Sequence, residues 1–80
     1  MNTERKIKWG IVGLGNIAHQ FANDLMLVEE AELAAVASRN LEKSQEFAAQ
    51  YDCPKAYSSY EDIINDADID ILYIATPHSS

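Results

Sequence analysis

Eighty residues carrying a formal net charge of −7 make one small domain, since domains typically take about 100–200 residues. The acidity counts against nucleic acid and anionic membrane as partners, because both select basic surfaces. Apolar residues at 48% and charged residues at 24% are the proportions of a soluble globular chain rather than a disordered one.

A domain of this size buries only about 60% of the surface its unfolded chain exposes, enough for a modest core and too little for a complete enzyme. The single Cys53 excludes an intrachain disulfide and suits a reducing compartment; it reads as a small buried or half-buried residue rather than a nucleophile. The start, Met1 to Lys8, is polar, and Gly10, Gly13 and Gly15 interrupt the apolar run behind it. That pattern is neither a signal peptide nor a membrane span. The expectation is a cytoplasmic protein, and no spacing along the chain suits a metal ion.

In chain order, Ile7 to Val12 reads as a strand rich in β-branched and aromatic residues, ending at the turn Gly13-Leu14-Gly15. Helical spacing follows at once. Ile17, Phe21, Leu25 and Val28 make one apolar stripe on a helix of about four turns, with Ala18 and Ala22 beside it, where small side chains let the helix sit close to a sheet. Acidic Glu29, Glu30 and Glu32 mark its exit. Leu33 to Ser38 is a second strand, apolar throughout as in a strand covered on both faces. Asn40 caps a second helix, about Leu41 to Tyr51, with Phe47, Ala48 and Tyr51 facing inward. Beyond Pro54, Lys55 to Tyr57 is a short third strand. Ser58 to Glu61 resembles a capping box opening a short helix through Asn65. Asp66-Ala67-Asp68 is a polar connection, and Ile69 to Ala75 is a fourth strand. This alternation with short connections predicts an α/β fold, a Rossmann-type parallel sheet in the order 3-2-1-4, incomplete as it stands. Its fourth strand is expected to lack neighbours and to expose Ile69, Ile71, Leu72 and Ile74.

Gly13-Leu14-Gly15-Asn16-Ile17-Ala18 fits G-x-G-x-x-G/A, and its setting between a strand and a helix gives each position a task. Gly13 allows the tight turn, Gly15 lets a pyrophosphate approach the backbone, and Ala18 keeps the helix close to the first strand. The free N–H groups and positive end of that helix then face the phosphates. In such folds an acid at the end of the second strand holds the adenosine ribose of NAD. Here Ser38 stands in that place and Arg39 follows, with Lys43 one helical turn on. A hydroxyl and two cations accept a 2′-phosphate that an acid would repel, which favours NADP over NAD. A competing reading stacks Arg39 on the adenine face and leaves Lys43 solvated, in which case both coenzymes bind. The absent acid also disfavours a methyltransferase-like sheet, which uses a similar glycine turn.

Thr76, Pro77 and His78 follow the carboxyl end of the fourth strand, where ligands bind in open α/β sheets. Thr76 offers a hydrogen bond and Pro77 stiffens the loop. His78 has no assignable partner for acid–base work and reads as a loop or coenzyme contact. His19 is expected to face solvent or the coenzyme mouth, and Lys55 to stand isolated.

Three blocks, Trp9 to Ala18, Val36 to Arg39 and Ile74 to Pro77, together resemble the amino-terminal domain of the Gfo/Idh/MocA oxidoreductases. The serine–arginine pair is similar to their NADP-preferring, dihydrodiol dehydrogenase-like branch. The resemblance implies hydride transfer between nicotinamide and a carbon bearing a sugar, polyol or diol hydroxyl. It places Gly13, Gly15, Asn16, Ile17 and Ala18 on the pyrophosphate loop and Ser38, Arg39 and Lys43 at the adenosine end. Thr76, Pro77 and His78 fall on the nicotinamide side, where many relatives have Asn in place of His78. It also implies a carboxy-terminal substrate domain and a homo-oligomer. The family's catalytic Glu-Lys-Pro motif does not occur in this sequence. The expectation is therefore the front part of such an enzyme, inactive by itself. The alternative is a non-catalytic dinucleotide-binding or redox-sensing module, and a Glu-Lys-Pro after the next strand would decide for the enzyme.

Overall fold

The computed structural model describes residues 6–75. Four parallel strands, β1 (Ile7–Val12), β2 (Ala31–Ala37), β3 (Lys55–Tyr57) and β4 (Ile71–Ile74), form one sheet in the order β3-β2-β1-β4. Three helices connect them: α1 (Asn16–Leu25), α2 (Leu41–Gln50) and α3 (Tyr60–Ile64). The Rossmann order read from the sequence is the one observed.

The pleat sorts the strand residues onto two faces. Ile11, Leu33 and Val36 join Ala18, Ala22 and Leu25 of α1, and Phe47, Ala48 and Tyr51 at α2, in the larger core. Val12, Ala35 and Ala37 point the other way and cluster with Ile63 of α3. The sheet is thus covered on both sides, as its continuous apolar β2 demands. Small residues set the spacing. A Cβ on Gly10 would lie 2.8 Å from Leu72 Cδ2 and 3.1 Å from Ile63 Cδ1, so the missing side chain is the space these residues fill. Trp9, Phe21 and Tyr73 close the opposite face as an aromatic row. Phe21 stacks on Tyr73 at 4.0 Å, and Trp9 meets Phe21 edge-on at 5.3 Å.

Several boundaries differ from expectation, each for a local reason. The buried face of α1 is Ala18, Ala22 and Leu25, and Ile17 is 55% exposed. Ala18 and Ala22 let the helix lie close to the sheet, as read, and of the larger stripe Leu25 is buried with them. The helix also stops earlier, because Leu27 N–H and Val28 N–H bond back three residues to Asp24 and Leu25, closing a turn that leaves Val28 exposed. β2 begins at Ala31, two residues early, because Ile7 and Lys8 pair with Ala31 and Glu32. The cap of α3 is Ser59, which accepts from Asp62 N–H at 3.3 Å, so the capping register is one residue later than Ser58 and Glu61. On β4 only Ile71 and Ile74 are strongly exposed; Ile69 and Leu72 pack against the α3 cluster.

Lys55 is not isolated. Its Nζ lies 3.0 Å from Asp66 Oδ2 and 3.0 Å from Asp68 Oδ2, while the Tyr57 hydroxyl donates to the same Asp66 oxygen at 2.6 Å. This cluster ties β3 to the segment entering β4. The Tyr57 hydroxyl first, then the Asp68 N–H and the Lys55 ammonium, hold the Asp66 carboxyl down at about 2. The two carboxylates raise Lys55 above its ordinary value, and Asp66 does the same for the Tyr57 hydroxyl. A lowered carboxyl stabilises the fold above its unfolded value, 3.8, and loses that contribution as pH falls toward 2. The raised Lys55 and Tyr57 contribute below their unfolded values, 10.5 and 10.0, and lose it as pH rises further. Asp66→Asn should therefore lower the thermal midpoint at neutral pH and flatten its acid limb. Midpoints measured against pH should converge with wild type below pH 2; parallel curves would refute this role.

Candidate coenzyme site

The turn after β1 is built from two glycines with different needs. Gly13 has φ of 88°, in the left-handed region that side chains resist. Its N–H donates to Ala37 C=O at 3.0 Å, which draws the turn beside the end of β2. Gly15 is different: its backbone is extended, with φ −96° and ψ −160°, and no described residue lies within 4 Å of a Cβ built on it. Neither conformation nor packing requires a glycine there. The helix it opens has no side-chain cap and no acid in its first turn, so its N–H groups and dipole face open space. This is the cradle a phosphate fits. Asn16 and Ile17 are exposed at its rim, and Ala18 is buried beneath.

A cleft of about 630 Å³ lies between this turn and the end of β2, a size usual for small-molecule sites. Gly13 and Leu14 form one wall; Ser38, Arg39, Asn40 and Lys43 form the other, with Tyr60 of α3. In a chain with 13 acidic residues against six basic ones, this lining carries, among the described residues, two cations and no carboxylate. That distribution favours an anionic ligand.

Ser38 is buried and its hydroxyl is engaged within the chain. It lies 2.8 Å from both Asn40 C=O and Ser44 Oγ, and accepts from Asn40 N–H at 3.2 Å. Ser44 Oγ in turn donates to Tyr57 C=O at 2.7 Å. Ser38 therefore pins the turn that carries Arg39, and it offers the cleft an absence of negative charge rather than a free hydroxyl. The Asn40 side chain caps α2 by accepting from Lys43 N–H at 3.2 Å. Arg39 lies beside Tyr60, its guanidinium carbon 5.9 Å from the centre of the ring.

His19 is half-buried between α1 and α2. Its Nδ1 is 2.7 Å from the Tyr51 hydroxyl, and its ring lies 4.6 Å from that of Phe47. It lines a smaller recess of about 210 Å³ adjoining the cleft through Leu14 and Lys43. Cys53 is half-buried as expected; burial raises its thiol, and Sγ donates to Lys55 C=O at 3.3 Å. Thr76, Pro77 and His78 lie outside the described residues. The last described residue, Ala75, donates its N–H to Val12 C=O at 2.8 Å, beside the start of the glycine turn. Sequence reasoning missed Tyr60. The signal was there in the strand order, which sets the exit of β3, and hence the start of α3, beside the Ser38 turn.

Comparison with known proteins agrees with this geometry. The family model Gfo/Idh/MocA, described as an oxidoreductase family with an NAD-binding Rossmann fold, matches residues 7–80. The trans-1,2-dihydrobenzene-1,2-diol dehydrogenase of Bos taurus is 42% identical over 74 residues, and that of Homo sapiens is 40% identical over 74. Each alignment covers 90% of this chain and 22% of the relative. Among solved structures, scyllo-inositol dehydrogenase from Lactobacillus casei with bound NAD(H) and scyllo-inositol superposes with a TM-score of 0.81 at 27% identity. That superposition covers 91% of this chain and 22% of the other. A 3-ketoreductase from Actinomadura kijaniata in complex with NADP gives 0.86 at 23% identity, covering 91% and 23%, and shows the shared fold. The chain thus spans less than a quarter of the length of these relatives.

Proposed function

The chain belongs to the Gfo/Idh/MocA oxidoreductase family, and on that premise we propose that residues 13–18 cradle the pyrophosphate of NADP, taken in preference to NAD. The observation that carries this reading is Gly15, which the fold itself does not need. Gly13 shapes the turn, the first turn of α1 supplies N–H donors, and Ala18 keeps the helix against the sheet. Arg39 and Lys43 take the adenosine 2′-phosphate, with Ser38 fixing the turn between strand and helix. Thr76, Pro77 and His78 belong to the nicotinamide side.

When bound, the dinucleotide supplies or accepts a hydride at its nicotinamide ring. The substrate we propose is a carbon bearing a sugar, polyol or diol hydroxyl, in keeping with relatives named for a diol and an inositol. Substrate contacts and proton transfer belong to a further domain of the intact protein, a cytoplasmic homo-oligomer. Residues 1–80 alone hold coenzyme without turning a substrate over.

Coenzyme choice tests the reading. Losing charge-assisted hydrogen bonds costs about 1.5–3 kcal/mol, so Arg39→Ala should weaken NADPH binding about ten- to a hundredfold. NADH binding should stay unchanged. Calorimetric titration of the intact protein measures both. Equal affinities in wild type, or equal losses in the variant, would remove Arg39 from the phosphate site.

A further inference from the structure

We infer that Tyr60, at the start of α3, is a positioning residue for NADP selection, holding the Arg39 guanidinium where it meets the 2′-phosphate. The inference rests on the coenzyme reading above and deepens it.

Arg39 stands on a turn whose backbone is hydrogen-bonded by its neighbours. The turn is fixed at both ends by Ser38 Oγ, through its contact with Ser44 Oγ at 2.8 Å and its bond from Asn40 N–H at 3.2 Å. The side chain beyond that anchor is long, exposed and, among the described residues, in no ion pair. A free arginine in this position samples many rotamers and loses that freedom on binding. Its one aromatic neighbour among the described contacts is Tyr60, 5.9 Å away, within range of a cation–π interaction. Tyr60 is itself held in place, half-buried against the α3 cluster around Ile63, with Ser59 capping the helix it begins.

The ring and the guanidinium line the same cleft. A guanidinium lying on a ring face keeps its N–H edge free for a phosphate, so the ring restrains the cation without competing for its donors. Tyr60 acts through Arg39, and its effect is confined to the coenzyme that carries the extra phosphate. The phenol oxygen plays no part, and phenylalanine suffices.

The test uses the intact protein, with NADPH and NADH titrated against wild type, Tyr60→Leu, Tyr60→Phe and Arg39→Ala, and the Tyr60→Leu/Arg39→Ala pair. Tyr60→Leu should weaken NADPH about two- to fivefold, the scale of an exposed cation–π contact, and leave NADH unchanged. Tyr60→Phe should match wild type, and Tyr60→Leu should add nothing once Arg39 is alanine. Three results would overturn the inference: wild-type NADPH affinity in Tyr60→Leu, an equal loss for NADH, or the same loss in the Arg39→Ala background. The parent reading is judged separately by Arg39→Ala alone: if that variant does not discriminate between the coenzymes, the phosphate assignment fails first. Unchanged thermal midpoints for Tyr60→Phe, with NADH binding retained in Tyr60→Leu, separate these outcomes from loss of folding.

Discussion

Gly15→Asp should weaken binding of NADPH and NADH alike by more than about a hundredfold, the equivalent of about 3 kcal/mol, while leaving the fold as stable or slightly more so. The two halves of that expectation have one cause. Gly15 is the N-cap of α1, in the extended conformation a cap requires, and no side chain serves the helix there. Aspartate is among the best caps and its charge complements the helix dipole. Its Cβ has open space to enter. The new carboxylate, however, takes up the N–H groups a pyrophosphate needs and repels its charge. Most substitutions lower stability along with function; this one should separate them. Thermal midpoint and coenzyme titration on the same preparation read both. A collapsed midpoint would mean the fold needs the glycine, and unchanged affinity would mean no pyrophosphate sits there.

Ile63→Ala should be the most damaging single change on the α3 side, at about 2–5 kcal/mol for a fully buried isoleucine cut to alanine. Ile63 is 0% exposed and is the one α3 side chain buried into the sheet, among Val12, Ala35 and Ala37. It also fills the space that Gly10 leaves open. Those neighbours are small or anchored in strands and cannot collapse into the cavity. A domain of this size has about 0.05–0.15 kcal/mol of stability per residue, so the loss is a large fraction of the whole. Its midpoint should fall by more than about 10 °C, at about 4–8 °C per kcal/mol. The neighbouring Ile64, 61% exposed, supplies the control: Ile64→Ala should stay within about 0.5 kcal/mol. Equal effects from both would contradict the placement of α3.

The coarse architecture was legible because local signals agreed with the global arrangement. An apolar β2 with no polar face requires cover on both sides, and short connections between strands of one direction leave few topologies. Asn40 capped its helix as read, since an N-cap depends on one side chain and its own turn. The apolar stripe of α1 was drawn too wide because periodicity weighs large side chains: Leu25 is buried, but Ile17 and Val28 are exposed. Close approach to a sheet selects small ones, and Ala18 and Ala22 lie inward as read. Ser38 follows the end of β2 and lines the cleft as read, but its hydroxyl belongs to Ser44 and Asn40, partners a linear reading does not rank. The Lys55 cluster and the Arg39–Tyr60 pair were invisible for the same reason: each joins residues from separate elements, and only the closed sheet brings them together.

Backbone amide resonances of the intact protein, followed as NADPH is added, test the placement of the coenzyme most directly. The expected result is saturable shifts concentrated in Leu14 to Ala18 and in Arg39 to Lys43, with the Lys55 cluster unmoved. Binding that leaves the glycine turn undisturbed would contradict the account, as would the absence of binding by either coenzyme.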